Sequence, residues 1–202
     1  MAVSEARMRE LLGPYLGDWS LDAALLAQLD RYLDLILLWN ARTNLTAVRE
    51  PEAILTRQIG ESLFAARFLA EAGSLLDFGS GAGFPGVPIA LSRPGVQVTL
   101  AESQGKKASF LREVARSLNI PLTVWAARVE TLPAEKVFGC VTMRAVDDSE
   151  RMLALAMARV APSGRLLRYL GEGLPVEIPE WNAVVFEPIP NSKGMLQILV
   201  RA

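Results

Sequence analysis

The sequence predicts an α/β fold built on a mostly parallel sheet of seven strands, with a helical N-terminal extension and an antiparallel hairpin at the sheet edge. From Ser74 onward, short apolar runs alternate with helical stretches, which is the pattern of parallel strands joined by crossover helices. The last two apolar runs, Trp181–Phe186 and Met195–Val200, are separated by a turn-rich segment, as in a hairpin. We therefore expect a helical extension over residues 1–70, packed on an α/β core over residues 71–202.

The N-terminal extension is predicted from apolar residues that recur at intervals of three and four. In the clearest stretch these residues are Leu25, Leu29, Tyr32, Leu33, Ile36 and Leu37. Such spacing places them on one face of a helix. The pattern stops at Asn40–Asn44, and Glu50-Pro51-Glu52 indicates the start of another helix, because proline is favoured in the first turn. That helix should turn four apolar side chains inward: Leu55, Ile59, Leu63 and Phe64.

The core is predicted element by element from its apolar runs. Its first five strands are expected at Ser74–Phe78, Val96–Ala101, Leu122–Ala126, Val137–Met143 and Arg165–Tyr169. Its helices are expected at Pro85–Leu91, Gln104–Leu118 and Asp148–Val160. Together with the two hairpin strands, these runs make a sheet of seven strands.

Composition narrows the classes of protein to which the chain can belong. The 202 residues are 51% hydrophobic and 21% charged, which is the composition of a folded protein rather than of a disordered one. The net charge of -1 argues against nonspecific binding to nucleic acid. No apolar run reaches the roughly 20 residues of a membrane-spanning helix. One cysteine and no histidine exclude an internal disulfide and the usual zinc-ligand sets. We expect a cytoplasmic monomer that holds no metal and contacts no membrane.

The strongest local signal is a glycine-rich loop between a predicted strand and a predicted helix. It reads Leu75-Leu76-Asp77-Phe78-Gly79-Ser80-Gly81-Ala82-Gly83-Phe84-Pro85-Gly86. Glycine allows a tight turn and a close approach of a ligand to the backbone, and the helix that follows presents free N–H groups. The strand–loop–helix context favours a cofactor site over a turn of purely structural importance.

An acidic residue after the second strand supports a cofactor site. Glu102 lies at about the spacing at which nucleotide-binding α/β folds place a carboxylate on ribose hydroxyls, although on its own it would be interpreted as a solvated turn residue. A dinucleotide fingerprint has two residues between its second and third glycines, whereas only Ala82 separates Gly81 from Gly83. S-adenosylmethionine has a ribose and an adenine but no pyrophosphate, so it fits better than a nicotinamide dinucleotide. A nicotinamide-dependent oxidoreductase is the remote alternative.

Five separated motifs occur in a defined order between residues 30 and 170. They are Leu38-Trp39-Asn40 with Thr43-Asn44-Leu45-Thr46, the loop Gly79–Gly86, Gly105-Lys106-Lys107 with Phe110-Leu111-Arg112, Ala127-Arg128-Val129-Glu130, and Arg144-Ala145. In this order they resemble the RsmG (GidB) family of bacterial methyltransferases, which modify N7 of a guanine in 16S ribosomal RNA. The resemblance implies a Rossmann-like class I methyltransferase fold, S-adenosyl-L-methionine as cofactor, and 16S rRNA or the 30S subunit as partner.

The same resemblance implies roles for individual residues. Gly79, Gly81 and Phe84 would line the methionine and ribose part of the cofactor site, Glu102 would accept hydrogen bonds from the ribose hydroxyls, and Val129 and Glu130 would flank the adenine. Arg144, at the tip of the fourth strand, would lie beside both the cofactor and the entering base, and it is the expected catalytic residue. The cations expected to bind RNA phosphates are Arg57, Lys106, Lys107 and Arg112, for which a solvated helix face is the alternative interpretation.

The implied reaction requires little acid–base chemistry. Guanine N7 exposes a lone pair on the major-groove edge of the base, so the main task is to hold the reacting atoms in line. A chain without histidine can perform it. Cys140 lies within an apolar run, and we interpret it as a core residue rather than as an activated thiolate.

The match to the family pattern fails on the expected substrate side. Gln58 stands where the family usually carries histidine, Glu61 where it carries aspartate, and Leu170 where it carries the lysine of a Lys-Gly pair; Lys193-Gly194-Met195 is also a loose match. Two alternatives therefore accompany the leading hypothesis. One keeps the fold and cofactor but methylates another RNA or a small molecule, and the other is a non-catalytic ribosome-binding protein with a relic pocket.

Overall fold

The computed structural model describes residues 3–69, 73–145, 150–171, 181 and 183–202. The strands are β1 (Ser74–Phe78), β2 (Gln97–Ala101), β3 (Leu122–Trp125), β4 (Phe138–Met143), β5 (Val160–Leu170), β6 (Ala183–Pro188) and β7 (Met195–Val200). The α-helices are α1 (Glu5–Leu16), α2 (Ala23–Asn40), α3 (Pro51–Ile54), α4 (Glu61–Ala66), α5 (Gly86–Ser92), α6 (Gly105–Leu118) and α7 (Glu150–Ala158). A π-helix (Leu55–Gly60) joins α3 to α4, and a 3₁₀ turn (Val129–Thr131) follows β3.

The seven strands form one sheet in the order β3-β2-β1-β4-β5-β7-β6. β1 to β5 run parallel to one another, and β7 is antiparallel to both β5 and β6. The chain therefore leaves β1 in one direction across the sheet and β4 in the other. In open parallel sheets, ligands bind at this reversal point, beyond the carboxyl ends of the strands.

Helices α1 and α2 are capped at their starts and packed on one face of the sheet. Ser4 Oγ accepts from Arg7 N at 3.3 Å, and Asp22 Oδ1 accepts from Leu25 N at 2.7 Å, so each helix start has a side-chain acceptor for an otherwise unpaired N–H. The buried residues of α1 and α2 belong to the same apolar cluster as those of α5 and α6. These helices therefore share a core with the sheet.

The helix predicted from Pro51 is present, with a π-helical centre that the sequence pattern did not indicate. Pro51 occupies the first turn of α3, and the four side chains predicted to point inward are all buried. A Cβ on Gly60 would lie 2.6 Å from Cδ2 of Tyr15, so the glycine lets the ring of α1 pack against the π-helix.

The predicted sheet is confirmed in strand number, direction and order of elements. The bounds of β1 and β7 match the prediction, whereas β5 begins five residues early, at Val160, because Val160 pairs with Phe138 before a register shift in β4. Helix α7 ends at Ala158, and its predicted start at Asp148 lies outside the described residues. The boundary predicted between residues 70 and 71 also lies outside them, so the division into an extension and a core stays a prediction.

Candidate active site

Three adjoining cavities follow the carboxyl ends of the parallel strands. The Glu130 cavity, of about 390 Å³, is bordered by Gly79, Glu102, Val129 and Glu130. The glycine-loop cavity, of about 440 Å³, is bordered by Gly79, Gly81, Phe84, Glu102, Gln58 and Arg144. The Glu61 cavity, of about 570 Å³, is bordered by Gln58, Glu61, Arg144, Tyr169, Leu170 and Lys193. These volumes are typical of small-ligand sites.

Shared residues join the three cavities into a single trough. Gly79 and Glu102 border both the Glu130 cavity and the glycine-loop cavity. Gln58, Arg144 and Ala145 border both the glycine-loop cavity and the Glu61 cavity. A ligand spanning the first two cavities would therefore have one end beside Arg144, facing whatever occupies the third.

The glycine loop has the backbone conformation that its sequence predicts. Gly79, Gly81 and Gly83 have φ angles of 76°, 57° and 96°, in a region that favours glycine. The third glycine also meets a steric requirement, because a Cβ on Gly83 would lie 2.6 Å from Cγ2 of Val87 and 2.9 Å from the hydroxyl of Tyr32. Gly79 and Gly81 instead border the cavities, so they are the glycines that leave space for a ligand.

Asp77 secures the far end of the loop, and sequence reasoning gave it no role. Its side chain is buried, with Oδ1 accepting from the hydroxyl of Thr142 at 2.9 Å and Oδ2 accepting from Gly86 N at 3.1 Å. Burial raises the pKa of this carboxyl to about 6, and the hydrogen bonds from Thr142 and Gly86 limit the rise. The available signal was an acid within an otherwise apolar strand, which requires polar partners once it is buried.

Glu102 holds the loop and still faces the cavity. Its side chain is 7% exposed; Oε2 accepts from Gly81 N at 2.9 Å and Oε1 accepts from Gln104 N at 2.7 Å. Each carboxylate oxygen can accept more than one hydrogen bond, so both retain capacity for hydroxyl donors. The position predicted for a ribose-binding acid is thus occupied by a carboxylate that the backbone holds in place.

Val129 and Glu130 lie in the cavity at one end of the trough, away from Arg144. Both belong to the 3₁₀ turn after β3. Val129 is buried, and Oε1 of Glu130 lies 3.7 Å from Nη2 of Arg151. The turn is secured by Trp125, whose Nε1 donates to Thr131 Oγ1 at 3.1 Å. The cavity here has an apolar wall and a polar rim, which suits a flat heteroaromatic ring.

Arg144 lies where the glycine-loop cavity meets the Glu61 cavity. Its Nη2 donates to Glu61 Oε2 at 2.7 Å and to the carbonyl oxygen of Arg57 at 2.6 Å. Its guanidinium carbon lies 4.9 Å from the ring centroid of Tyr169, in cation–π contact. Its Nη1 is buried and has no hydrogen-bond partner among the described residues, so one of its donor nitrogens is unsatisfied.

Glu61 is a second buried charge in the same wall. Burial raises the pKa of its carboxyl above the usual value, and the positive charges of Arg144 and Arg57 oppose that rise. The hydroxyl of Tyr169 donates to the backbone carbonyl of Glu61 at 3.1 Å, which ties α4 to β5. Gln58, Glu61, Leu170 and Lys193, where the family pattern fails, all border this one cavity.

The four cations predicted to bind RNA are distributed unevenly. Arg57 borders the Glu61 cavity and Lys107 borders the glycine-loop cavity. Lys106 and Arg112 are exposed on α6 and lie outside these linings. The structure thus brings two of the four to the trough, and RNA contact by any of them stays a prediction.

Asn40, the last residue of the Leu38-Trp39-Asn40 motif, holds the loop that follows α2. Its side chain is 5% exposed, and Oδ1 accepts from Leu45 N at 2.9 Å and from Thr46 N at 3.2 Å. Leu45 and Thr46 border the glycine-loop cavity. Asn40 therefore positions one wall of the candidate cofactor site from the end of α2.

Three further expectations from the sequence concern the single cysteine, metal binding and membrane-spanning helices. Cys140 is fully buried, and burial raises the pKa of its thiol well above the usual value, as expected for a core residue. Within the described ranges, the structure has no group of three or more Cys, Asp or Glu side chains that could hold a metal ion. None of the helices it describes is long and apolar enough to cross a bilayer.

Comparison with known proteins identifies the family. The model described as rRNA small subunit methyltransferase G, GidB, matches residues 25–187. The chain belongs to this family. It is 43% identical over 153 residues to ribosomal RNA small subunit methyltransferase G of Xanthomonas euvesicatoria, covering 75% of this chain and 72% of the relative. It is 42% identical over 166 residues to the protein of that name from Stenotrophomonas maltophilia, covering 82% and 78%.

Solved structures agree with membership of the GidB family at the level of the fold. A putative O-methyltransferase from Klebsiella pneumoniae superposes with a TM-score of 0.63 at 16% identity, covering 98% of this chain and 97% of that one. M. jannaschii TYW2, solved in complex with AdoMet, superposes with a TM-score of 0.57 at 16% identity, covering 71% and 73%. The predicted Rossmann-like class I methyltransferase fold is confirmed.

Proposed function

We propose that the chain transfers the methyl group of S-adenosylmethionine to N7 of a guanine in the 16S rRNA of the small ribosomal subunit. The observation that carries the proposal is the continuous trough, in which Arg144 separates a nucleoside-sized pair of cavities from a third cavity. The family supplies the acceptor, since its members are named for the small-subunit rRNA.

The residues of the first two cavities fit an adenosyl cofactor. Gly79 and Gly81 leave space along the backbone, Glu102 retains acceptor capacity for a ribose, and Val129 and Glu130 border a cavity that suits an adenine. The TYW2 neighbour has the same fold and was solved with AdoMet. When bound, S-adenosylmethionine supplies an electrophilic methyl group, which is transferred with the sulfur keeping the electron pair of the broken bond.

The chain's contribution to the reaction is to position the acceptor. Guanine N7 already has a free lone pair, so neither a general base nor a covalent intermediate is required. Arg144 borders both sides of the reaction and is fixed by Glu61, the Arg57 carbonyl and the Tyr169 ring. Holding the nucleophile in line with the methyl group and excluding other approaches is the orientation effect, which can account for most of the acceleration.

Labelled methyl transfer tests the proposal. We expect the purified chain to transfer label from S-adenosylmethionine to 16S rRNA or 30S subunits that lack the modification, with the label located at guanine N7. Arg144→Ala should lower the rate by at least a hundredfold, whereas Arg116→Ala, which removes an exposed arginine paired with Glu113 on α6, should not change it.

Two outcomes would overturn the proposal. If calorimetry shows that S-adenosylhomocysteine binds but no RNA is labelled, the chain is a non-catalytic member of its family. If label is found in another RNA or in a small molecule, the fold and cofactor stand and the acceptor is wrong.

A further inference from the structure

We infer that Glu61 and Arg144 together bind the O6–N1–N2 edge of the acceptor guanine and so select guanine over adenine. The inference rests on the proposed function and adds the residues that determine base specificity. It starts from the composition of the Glu61 cavity, where Glu61 is the only carboxylate among the described lining residues. A buried acid there requires an explanation, because removing a charge from water costs several kcal/mol unless it is paired.

The ion pair with Arg144 satisfies only one of the two oxygens of the Glu61 carboxylate. Oε2 accepts from Arg144 Nη2, whereas Oε1 accepts no hydrogen bond from the residues that the structure describes. Arg144 is also half used, since Nη2 makes two hydrogen bonds and the buried Nη1 makes none within the described part of the chain. One acceptor and one donor of this ion pair are therefore left without a partner among the described residues, and both residues border a cavity large enough for a base.

This donor–acceptor pair matches guanine. Guanine presents the O6 acceptor next to N7, and beyond it the N1–H and N2–H₂ donors. Arg144 borders the glycine-loop cavity, so a hydrogen bond from Nη1 to O6 would bring the adjacent N7 to the cofactor side. Glu61 borders only the outer of these two cavities, where its Oε1 would accept from both N1–H and N2–H₂. Adenine has a donor at N6 and an acceptor at N1, and would mismatch both groups.

The contacts of Arg144 also leave N7 free to react. An arginine that bound guanine in the common bidentate way would donate to both O6 and N7, and would thereby occupy the lone pair that must attack. Glu61 Oε2 and the Arg57 carbonyl occupy Nη2, and Tyr169 packs against the guanidinium. Nη2 is therefore not available to the base, which excludes a fork of Nη1 and Nη2 on O6 and N7 and leaves Nη1 for a hydrogen bond to O6.

Single-atom changes in the acceptor base test the inference. We would first map the methylated position, then build 16S rRNA by splinted ligation with guanosine, inosine or adenosine at that position. Inosine keeps O6, N1–H and N7 but lacks the N2 amine. Because a hydrogen bond to a charged partner contributes about 1.5–3 kcal/mol, wild type should prefer guanosine to inosine about 10- to 100-fold in kcat/KM and should not methylate adenosine.

Two variants separate reading of the base from positioning of Arg144. Glu61→Gln removes the charge at constant size, and the preference for guanosine over inosine should fall at least threefold; Glu61→Ala should abolish it. Glu113→Gln, at an exposed carboxylate of α6 paired with Arg116, is the matched control and should keep the wild-type ratio. S-adenosylhomocysteine binding by calorimetry should be unchanged in all three, which also shows that they are folded.

The ratio of kcat/KM for guanosine to kcat/KM for inosine shows whether Glu61 contacts the base or only positions Arg144. If Glu61 only positions Arg144, its variants will slow guanosine and inosine by the same factor and the ratio will stay at the wild-type value, which would overturn the inference while leaving the proposed function intact. A wild-type enzyme that methylates guanosine and inosine equally well would also overturn it. Failure of wild type to methylate any of the RNAs would instead overturn the proposed function.

Discussion

Replacing Gly83 by alanine should destabilise the fold much more than the same change at Gly81, two residues away in the glycine loop. At Gly83, φ is +96°, and a Cβ would lie 2.6 Å from Val87 Cγ2 and 2.9 Å from the Tyr32 hydroxyl. At Gly81, φ is +57°, and the nearest atom to a Cβ is the carbonyl oxygen of Gly79 at 4.0 Å. Alanine would have a strained backbone at both positions, but only at Gly83 is there no space for its methyl group.

The expected magnitudes follow from these two contributions. A non-glycine residue held in a rarely populated backbone region costs about 1–3 kcal/mol, and forcing an extra methyl group into a well-packed core costs about another 1–3 kcal/mol. Val87 and Tyr32 are fully buried, so neither can move into solvent. Reduced chain entropy in the unfolded state offsets up to about 1 kcal/mol. Gly83→Ala should therefore lose roughly 2–5 kcal/mol, and Gly81→Ala about 1 kcal/mol.

Equilibrium urea unfolding measures the difference, and calorimetry with S-adenosylhomocysteine provides the complementary readout. Gly81 borders the glycine-loop cavity, so Gly81→Ala should weaken binding of the ligand while the protein stays folded. Equal free energies of unfolding for the two variants would refute the reasoning, because they would mean that the region around Gly83 can accommodate a methyl group.

Three further perturbations address the surroundings of the same loop. Burial raises the pKa of Asp77 from 3.8 to about 6, so folding favours its protonated form. The free energy of unfolding of wild type relative to Asp77→Asn should therefore be highest below pH 4 and fall by about 3 kcal/mol as the pH rises through 6. Urea unfolding at a series of pH values measures this difference. Tyr32→Phe removes the hydroxyl that donates to the carbonyl oxygen of Ala82 at 2.6 Å and should cost about 1–3 kcal/mol in the same assay. Asn40→Ala frees the backbone N–H groups of residues 45–46, and it should weaken S-adenosylhomocysteine binding measured by calorimetry more than it lowers the free energy of unfolding.

Most of the fold could be predicted because it depends on local patterns. Apolar runs with period two or with spacings of three and four follow from burial, and they placed every strand and nearly every helix. The early start of β5 could not be predicted, because Val160 enters the sheet by pairing with Phe138 across a register shift. The π-helix was also missed, because no local pattern in Leu55–Gly60 distinguishes it from an α-helix, and the close packing of Gly60 against Tyr15 joins residues far apart in sequence.

The proposed cofactor half of the trough follows from local sequence patterns more directly than the proposed acceptor half. Glycines and an acid at fixed positions after strands have a direct geometric meaning, and Gly79, Gly81 and Glu102 border the trough as expected. The Glu61 cavity is assembled from the π-helix, α4, the end of β5 and the turn before β7, which are distant in sequence. No local pattern could indicate that Glu61 meets Arg144 there, 83 residues further along the chain.

This division has a functional consequence. Gln58, Glu61, Leu170 and Lys193 border the acceptor side, and of these only Gln58 also borders the glycine-loop cavity. The Glu130 cavity is formed by the ends of β1 and β2, the segment after β3 and the start of α7, with no contribution from these four residues. On the proposed assignment, substitutions on the acceptor side can therefore change which base is accepted without touching the residues proposed to bind the adenine and ribose. Arg144 borders both cavities, as Gln58 and Ala145 do, but it alone of these three is ion-paired with Glu61, which lies 2.7 Å from its Nη2.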